Sequence, residues 1–135
     1  MALTVHLSKT PDHREIRIGI PTVVFETDGV SGFFFSTFER VGERTGKYVT
    51  PYDDAVFQSP EELEALASAF GDAAAAIEAI VEESVPVTLG TRMSEPPEEV
   101  VEAVPCSALR SVCASVLSFV ERAREEGLCV YFYGD

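Results

Sequence analysis

The chain has few cysteines, few basic residues and no long apolar run. Its three cysteines are an odd number at unrelated spacings, which argues against a disulfide framework and fits a reducing compartment. No apolar stretch approaches the roughly 18 residues that a membrane-spanning helix requires. Because the N-terminus also lacks a basic stretch followed by an apolar one, we expect a cytoplasmic protein.

The shortage of basic residues limits the kinds of partner that the protein can bind. There are 10 Lys and Arg residues against 23 Asp and Glu residues, which gives a formal net charge of −13. Nucleic acids and anionic membranes both need a basic surface, so we expect neither as a partner. A basic protein is the partner that this sign of charge allows.

Most of the negative charge lies in one third of the chain. Residues 61–102 hold 11 acidic residues and a single basic one, Arg92. This segment either attracts a basic partner or forms the solvated faces of helices that keep the protein in solution.

Motifs that carry catalysis or bind metals are also missing. The segment Gly42–Tyr48 has three residues between its glycines, where a phosphate-binding loop needs four, and Tyr48 replaces the hydroxyl residue that binds magnesium. Ser31 lies in a partial nucleophile elbow, but Phe33 replaces the final glycine. The cysteines and histidines lack zinc-site spacing. We therefore predict no catalytic residue, no metal and no cofactor.

The sequence contains enough apolar residues to form a buried hydrophobic core, since 46% of the 135 residues are hydrophobic. A chain of this length can bury about two-thirds of its unfolded surface in one domain, so we predict a single domain over residues 1–135. Leu3–Leu7 and Glu15–Ile20 alternate between apolar and polar residues and are expected to be strands. Pro21 interrupts the second run before Val23–Phe25, which indicates either an edge strand or a bulge at this proline.

Three longer helices are predicted from caps and apolar spacing. They are expected at 32–44 after a Ser31 cap and before Gly46, from Ser59-Pro60-Glu61-Glu62 onward, and from a Ser107 cap to Gly127. The second of these starts has a capping serine, a proline at the first helical position and a glutamate three residues after the serine. The last helix places Cys113 on its apolar face.

Shorter elements complete the predicted fold. Residues 47–50 and 85–89 are predicted strands, and Pro96-Pro97-Glu98-Glu99 is a predicted helix start. The closing segment 128–133, which includes Cys129, is apolar on both faces and should lie inside the sheet. The chain is therefore predicted to be α+β, with a small mixed or antiparallel sheet, helices packed on one face and the C-terminal strand buried in the sheet.

Aromatic and acidic residues supply the candidate binding site. A helix cannot bury three consecutive phenylalanines, and Phe33 is the one we expect to face solvent or a partner. Exposed aromatic residues are common anchors of protein interfaces, and acidic residues around them can steer a basic partner. Seven residues are predicted to contact the partner: Phe33, Tyr52, Asp53, Asp54, Glu61, Glu64 and Glu78.

The order of elements resembles a known class of proteins. The resemblance rests on the paired N-terminal strand segment, the aromatic helix 32–38, the start Ser59-Pro60-Glu61-Glu62-Leu63 and the ending 119–130. These features are similar to small acidic immunity proteins of bacterial polymorphic-toxin systems. The resemblance implies a cytoplasmic, non-catalytic inhibitor that binds one cognate toxin, with no catalytic residues to carry over.

Two other functions remain open from the sequence. One is a small-ligand-binding protein or enzyme with a pocket between sheet and helices, which would use Cys106 or the pair Asp53 and Asp54. Cys106 follows Pro105 near a helix start, where a lowered thiol pKa is possible, although an inert thiol with partial exposure is the simpler prediction. The other is an oligomeric protein, such as a homodimer, paired through its edge strand.

Overall fold

The computed structural model describes residues 3–10, 22–50 and 52–134, and these contain six strands and four helices. The strands are β1 (Leu3–Ser8), β2 (Thr22–Phe25), β3 (Ala55–Phe57), β4 (Ser84–Arg92), β5 (Glu98–Pro105) and β6 (Cys129–Gly134). The helices are α1 (Asp28–Phe33), α2 (Phe35–Thr45), α3 (Pro60–Glu78) and α4 (Cys106–Glu126). None of the described helices is both long and apolar enough to cross a membrane. The predicted turn at 11–13 and the predicted strand Glu15–Ile20 lie outside the described residues.

Four strands form an antiparallel sheet in the order β2-β1-β6-β3. β6 lies between β1 and β3, with Val5 opposite Phe132 and Ala55 opposite the same residue on the other side. The prediction that the C-terminal strand lies inside the sheet is therefore confirmed. β2 lies at one edge of the described sheet, as expected for the extended run that follows Pro21.

One face of this sheet carries the core, and the helices pack against it. Leu3, Val5 and Leu7 of β1 are buried together with Phe132 of β6. Phe38 of α2 contacts Phe132 edge to face at 5.8 Å between ring centroids. The predicted apolar stripe of α4 is confirmed, because all its members are buried: Leu109, Val112, Cys113, Val116, Val120 and Ala123. The predicted α+β class is thus confirmed.

β4 and β5 form a separate two-stranded ribbon that α1 joins to the rest of the protein. A Cβ atom added to Gly29 would lie 2.3 Å from the Glu102 carboxylate, so only glycine permits this close approach of α1 to β5. Glu102 accepts a hydrogen bond from the Gly29 amide at 3.2 Å and another from the Thr27 hydroxyl. Glu102 thus connects the ribbon directly to the first turn of α1.

The start of α3 is confirmed as predicted. The Ser59 side chain accepts a hydrogen bond from the Glu62 amide, and Glu62 accepts one from the Ser59 amide. Lys47 adds a salt bridge of 2.5 Å to the Glu62 carboxylate. Burial acts to raise the pKa of Glu62, but hydrogen bonds from Lys47 and from the amides of Gln58 and Ser59, with the Lys47 charge, lower it to about 2.

Two predicted helix caps are wrong. Ser31 does not cap a helix from Gly32 to Arg44; Thr27 caps α1, and a break at Phe34 separates α1 from α2. Ser107 lies inside the first turn of α4, which begins at Cys106 without a side-chain cap. The helix ends are better predicted, since Gly46 and Gly127 both adopt the left-handed conformation that ends α2 and α4.

Two short segments also differ from prediction. Pro96-Pro97-Glu98-Glu99 does not start a helix, because residues 98–105 pair with β4 as β5. This segment contains the β-branched residues Val100, Val101 and Val104, which favour strands, and pairing with β4 agrees with that preference. Residues 47–50 form no strand; Thr50 makes only an isolated bridge to Asp53. The next strand along the chain is instead β3, which was not predicted.

Candidate functional site

An open groove lies where α1, α2, the Tyr52 turn and the ribbon meet. It has a volume of about 490 Å³, and we call it the aromatic groove. Its floor contains the buried side chains Leu3, Phe38 and Val49. Its rim contains Asp28, Ser31, Phe35, Tyr52, Thr88 and Leu89. The groove is therefore apolar at its base, with aromatic rings, hydroxyl groups and one carboxylate around it.

Phe35 is the most exposed aromatic residue among those described, with 69% of its surface accessible. Phe33, which the sequence predicted to be exposed, is half-buried and packs edge to face against Phe34 at 5.2 Å. The prediction assumed one continuous helix, whereas α1 ends and α2 begins at Phe34, between the two residues. The expectation that one of the three phenylalanines faces solvent is confirmed, but the residue is Phe35.

Tyr52 is also strongly exposed, at 67%, yet the turn that carries it is held in place. The Thr50 hydroxyl accepts hydrogen bonds from the amides of Tyr52 and Asp53 at 3.3 and 3.2 Å. The Tyr131 hydroxyl donates to the Asp54 carboxylate at 2.7 Å, which ties the turn to β6. Two neighbouring acids predicted for partner contact, Asp53 and Asp54, therefore belong to a fixed turn beside the groove.

A second groove of about 460 Å³ adjoins the first, and we call it the acidic groove. The two grooves share Phe35, Phe38 and Val49, so they form one continuous surface with Phe35 between them. The acidic groove adds Glu39, Glu43 and the ring of Tyr48. That ring lies directly on the backbone of α2, where a Cβ atom added to Gly42 would be 2.3 Å from it.

The described lining of both grooves carries negative charge. Asp28, Glu39 and Glu43 line them, and none of the lining residues that the structure describes is Lys or Arg. Within the described part of the chain, none of these three carboxylates forms a salt bridge. Among the side chains at 3–10, 22–50 and 52–134, none therefore neutralises their charge through a salt bridge.

The acids predicted on α3 are in a different situation. Glu64 forms a salt bridge of 2.6 Å with Arg124, and Glu78 forms one of 3.4 Å with Arg110, so both connect α3 to α4. Glu61 is exposed in the first turn of α3. None of the three lines either groove. The structure does not bring the α3 acids into the surface that holds Phe35 and Tyr52.

The residues proposed for an enzyme or small-ligand site do not line these grooves either. Cys106 is buried rather than partly exposed, and its thiol donates to the Glu82 carbonyl oxygen at 3.3 Å. Asp54 has Tyr131 as its hydrogen-bond partner. Across residues 3–10, 22–50 and 52–134, no group of three or more His, Cys, Asp or Glu side chains could hold a metal ion.

Sequence reasoning missed Phe35, Tyr48, Glu39 and Glu43 as site residues. The two glutamates follow Phe35 at four and eight positions, which is the spacing of one helix face. That periodicity was available in the sequence, but the break at Phe34 and the position of the ribbon were not.

Comparison of the chain with protein-family models, with curated proteins and with solved structures finds no match. The geometry and charge of this surface are therefore the observations that bear on function.

Proposed function

We propose that the protein is a non-catalytic binding domain that sequesters a basic partner protein, in the manner of a cytoplasmic immunity protein that inhibits a toxin. The observation that carries this proposal is the continuous surface around Phe35, with its exposed aromatic rings and its unpaired carboxylates. Exposed aromatic side chains supply much of the affinity of protein interfaces, while acidic residues around them attract and orient a basic partner.

Exposure of large aromatic rings to water is unfavourable, and burial of these rings against a partner removes that free-energy cost. Phe35, Tyr48 and Tyr52 are each more than half exposed and lie on the same surface, whereas most aromatic residues described are buried. Clustered exposed apolar groups with polar residues around them are typical of interaction sites. The fixed Tyr52 turn favours binding further, since little conformational entropy is lost when an ordered residue becomes an interface contact.

The test compares partner capture by three forms of the protein. Immobilised wild-type protein is expected to retain one basic protein from a source-cell lysate in stoichiometric amount. The double variant Phe35→Ala, Tyr52→Ala should lose that protein. The control Val81→Ala removes an apolar side chain that is 93% exposed elsewhere and should retain it. All three should unfold at similar urea concentrations, since these side chains are exposed.

Inhibition is tested separately from binding. Cells that express the captured protein should grow only when the wild-type binding domain is co-expressed, and the double variant should not restore growth. Equal capture by the wild type and the double variant would refute the role of this surface. Capture without any effect on growth or on the partner's activity would refute the inhibitory function.

A further inference from the structure

We infer that the aromatic groove binds an arginine side chain of the basic partner. This inference rests on the proposed function and specifies its chemistry. The groove offers a base for the alkyl part of such a side chain, aromatic rings for its cationic group and a carboxylate for its charge.

The base of the groove suits the methylene stem of arginine. Leu3, Phe38 and Val49 line the floor and belong to the buried core, so the base of the groove is apolar. Leu89 adds apolar surface from the ribbon side. Long cationic side chains commonly place their methylene groups along such surfaces while the charged end remains accessible to polar groups.

The two exposed rings of the groove suit a guanidinium better than an ammonium. Phe35 and Tyr52 both line it, and their faces are not covered by other described aromatic rings. Guanidinium is planar and weakly hydrated, so it stacks on aromatic rings more readily than the compact and strongly hydrated ammonium of lysine.

The polar groups of the rim match the donors of a guanidinium. Asp28 is the one carboxylate among the lining residues of this groove that the structure describes. Ser31 and Thr88 add hydroxyl oxygens, which can also accept hydrogen bonds. Arginine has five N–H donors in a planar arrangement, and a carboxylate with adjacent hydroxyl groups can accept several of them together.

The inference is tested with peptides of defined charge. Fluorescent oligo-arginine, oligo-lysine and oligo-citrulline peptides of equal length are titrated with the protein at physiological ionic strength, and anisotropy is recorded. Citrulline keeps the shape of arginine but carries no charge. We expect oligo-arginine to bind about fivefold or more tightly than oligo-lysine, because only guanidinium gains from stacking and from bidentate pairing. Oligo-citrulline should not bind measurably.

Two variants identify the site of binding. Asp28→Asn should weaken oligo-arginine binding by about tenfold, because a charge-assisted pair is replaced by a neutral one. Phe35→Ala should reduce the preference for arginine over lysine. The control Glu121→Gln removes one exposed negative charge from α4 and should change binding less than about twofold, since it alters only the long-range field.

Two results would overturn the inference. One is the absence of saturable oligo-arginine binding; the other is equal binding of arginine and lysine peptides with equal weakening by Asp28→Asn and Glu121→Gln. Either would show that the groove has no arginine subsite. The broader proposal would still stand if capture of a basic protein depends on Phe35 and Tyr52.

Discussion

Cys113 belongs to the apolar core, whereas Cys129 lies near the charges of Lys47 and Glu62, and both cysteines are almost completely buried. Burial raises the pKa of the Cys113 thiol to about 11, and burial also raises the pKa of Cys129. Serine at either position should lower the free energy of unfolding by about 1–3 kcal/mol, because its hydroxyl is buried away from water. Urea denaturation of each variant measures this change.

Thiol labelling provides a second measurement at the same residues. Native protein should react slowly with a thiol reagent at neutral pH, because both thiols are protonated and inaccessible. The variant Ser107→Cys, with an exposed thiol on α4, should label at the rate of a free thiol. Rapid labelling of all cysteines in native wild-type protein would contradict the burial of Cys113 and Cys129.

The burial of single residues was predicted correctly where the local sequence pattern determines it. Cys113 and Cys129 follow apolar periodicity within one helix and one strand, so their burial was predictable. Phe33 and Cys106 were not, because their exposure depends on how separate elements meet. The break at Phe34 directs Phe35 outward, and the chain before β4 covers Cys106 through the Glu82 carbonyl.

At the scale of elements, the ion pair of Lys47 with Glu62 makes the start of α3 sensitive to pH. Folding lowers the pKa of Glu62 from 4.5 to about 2, so the unfolded state binds more protons in this range. The stabilisation is complete above about pH 4.5 and is lost as the pH falls toward 2. Glu62→Gln keeps a capping side chain but removes the charge, so it should be less stable than wild type by about 1–3 kcal/mol at pH 7.

Urea denaturation at several pH values tests this expectation. The difference between wild type and Glu62→Gln should shrink steadily below about pH 4.5. Glu121→Gln is the control, because its exposed carboxylate has no described partner. If the difference in unfolding free energy between wild type and Glu62→Gln stayed constant from pH 7 to pH 3, the Glu62 charge would not contribute to stability.

The contact between α1 and the ribbon depends on Gly29. In Gly29→Ala, the added Cβ would overlap Glu102 and Val104, so β5 or α1 must move. We expect a loss of about 1–3 kcal/mol in stability, as for other overpacked sites. Faster hydrogen exchange should accompany it in the β4 and β5 amides.

Gly71→Ala is the matched control for this substitution. It lies within α3, where an added Cβ meets nothing within 4 Å. Alanine is the better helix former, so this variant should be more stable by about 0.5–1 kcal/mol. If both variants changed stability in the same direction, the close approach at Gly29 would not be the cause.

Elements were predictable where their own residues determine them. The capping box of α3 and the terminating glycines of α2 and α4 are local signals, and they were found. β5 was mistaken for a helix because two prolines and two glutamates imitate a helix start, whereas pairing with β4 determines the strand. The helix α1 was not predicted, because it contains two glycines, which disfavour helix formation. The same glycines allow α1 to pack closely against the ribbon.

At the scale of the whole molecule, β6 connects the two halves of the sheet. Removal of residues 128–135 would take away the only strand that joins β1 to β3 in the described sheet. We expect the shortened protein to lack a cooperative unfolding transition. Phe132→Ala should cost about 3–5 kcal/mol, because this buried ring contacts both Phe38 and Phe57.

Circular dichroism during thermal unfolding distinguishes the deletion of residues 128–135 from the substitution Phe132→Ala. Phe132→Ala should keep a cooperative transition at a lower temperature, whereas the deletion should show none. A deletion variant with a wild-type melting curve would mean that β6 is not needed for the sheet.

The distribution of charge predicts which acids guide a partner. Glu64→Lys would place a positive charge beside Arg124, and Glu78→Lys would place one beside Arg110. These reversals would therefore alter contacts within the fold as well as the electrostatic field. Glu39→Lys together with Glu43→Lys reverses charge at the grooves instead, and neither residue has a salt-bridge partner among the described residues. With a verified partner at low salt, this pair should slow association and weaken its salt dependence.

The control pair is Glu61→Lys with Glu125→Lys, which changes the net charge equally at exposed positions outside both grooves. When the two pairs are compared at physiological salt, the control pair should affect the association rate less, because the field is screened beyond about 8 Å. Equal slowing by the two pairs would show that total charge, rather than its position, determines the rate.

The position of β6 also determines when the protein can fold during its synthesis. A ribosome makes β1, β2 and β3 long before β6, so β1 can pair with β2 early, whereas β3 has no strand neighbour in the described sheet until β6 is made. Until then, the apolar side chains of β1 and the stripes of α3 and α4 have no completed sheet to cover them. The nascent chain therefore exposes this apolar surface until β6 emerges from the ribosome, and only then can the four described strands form one sheet.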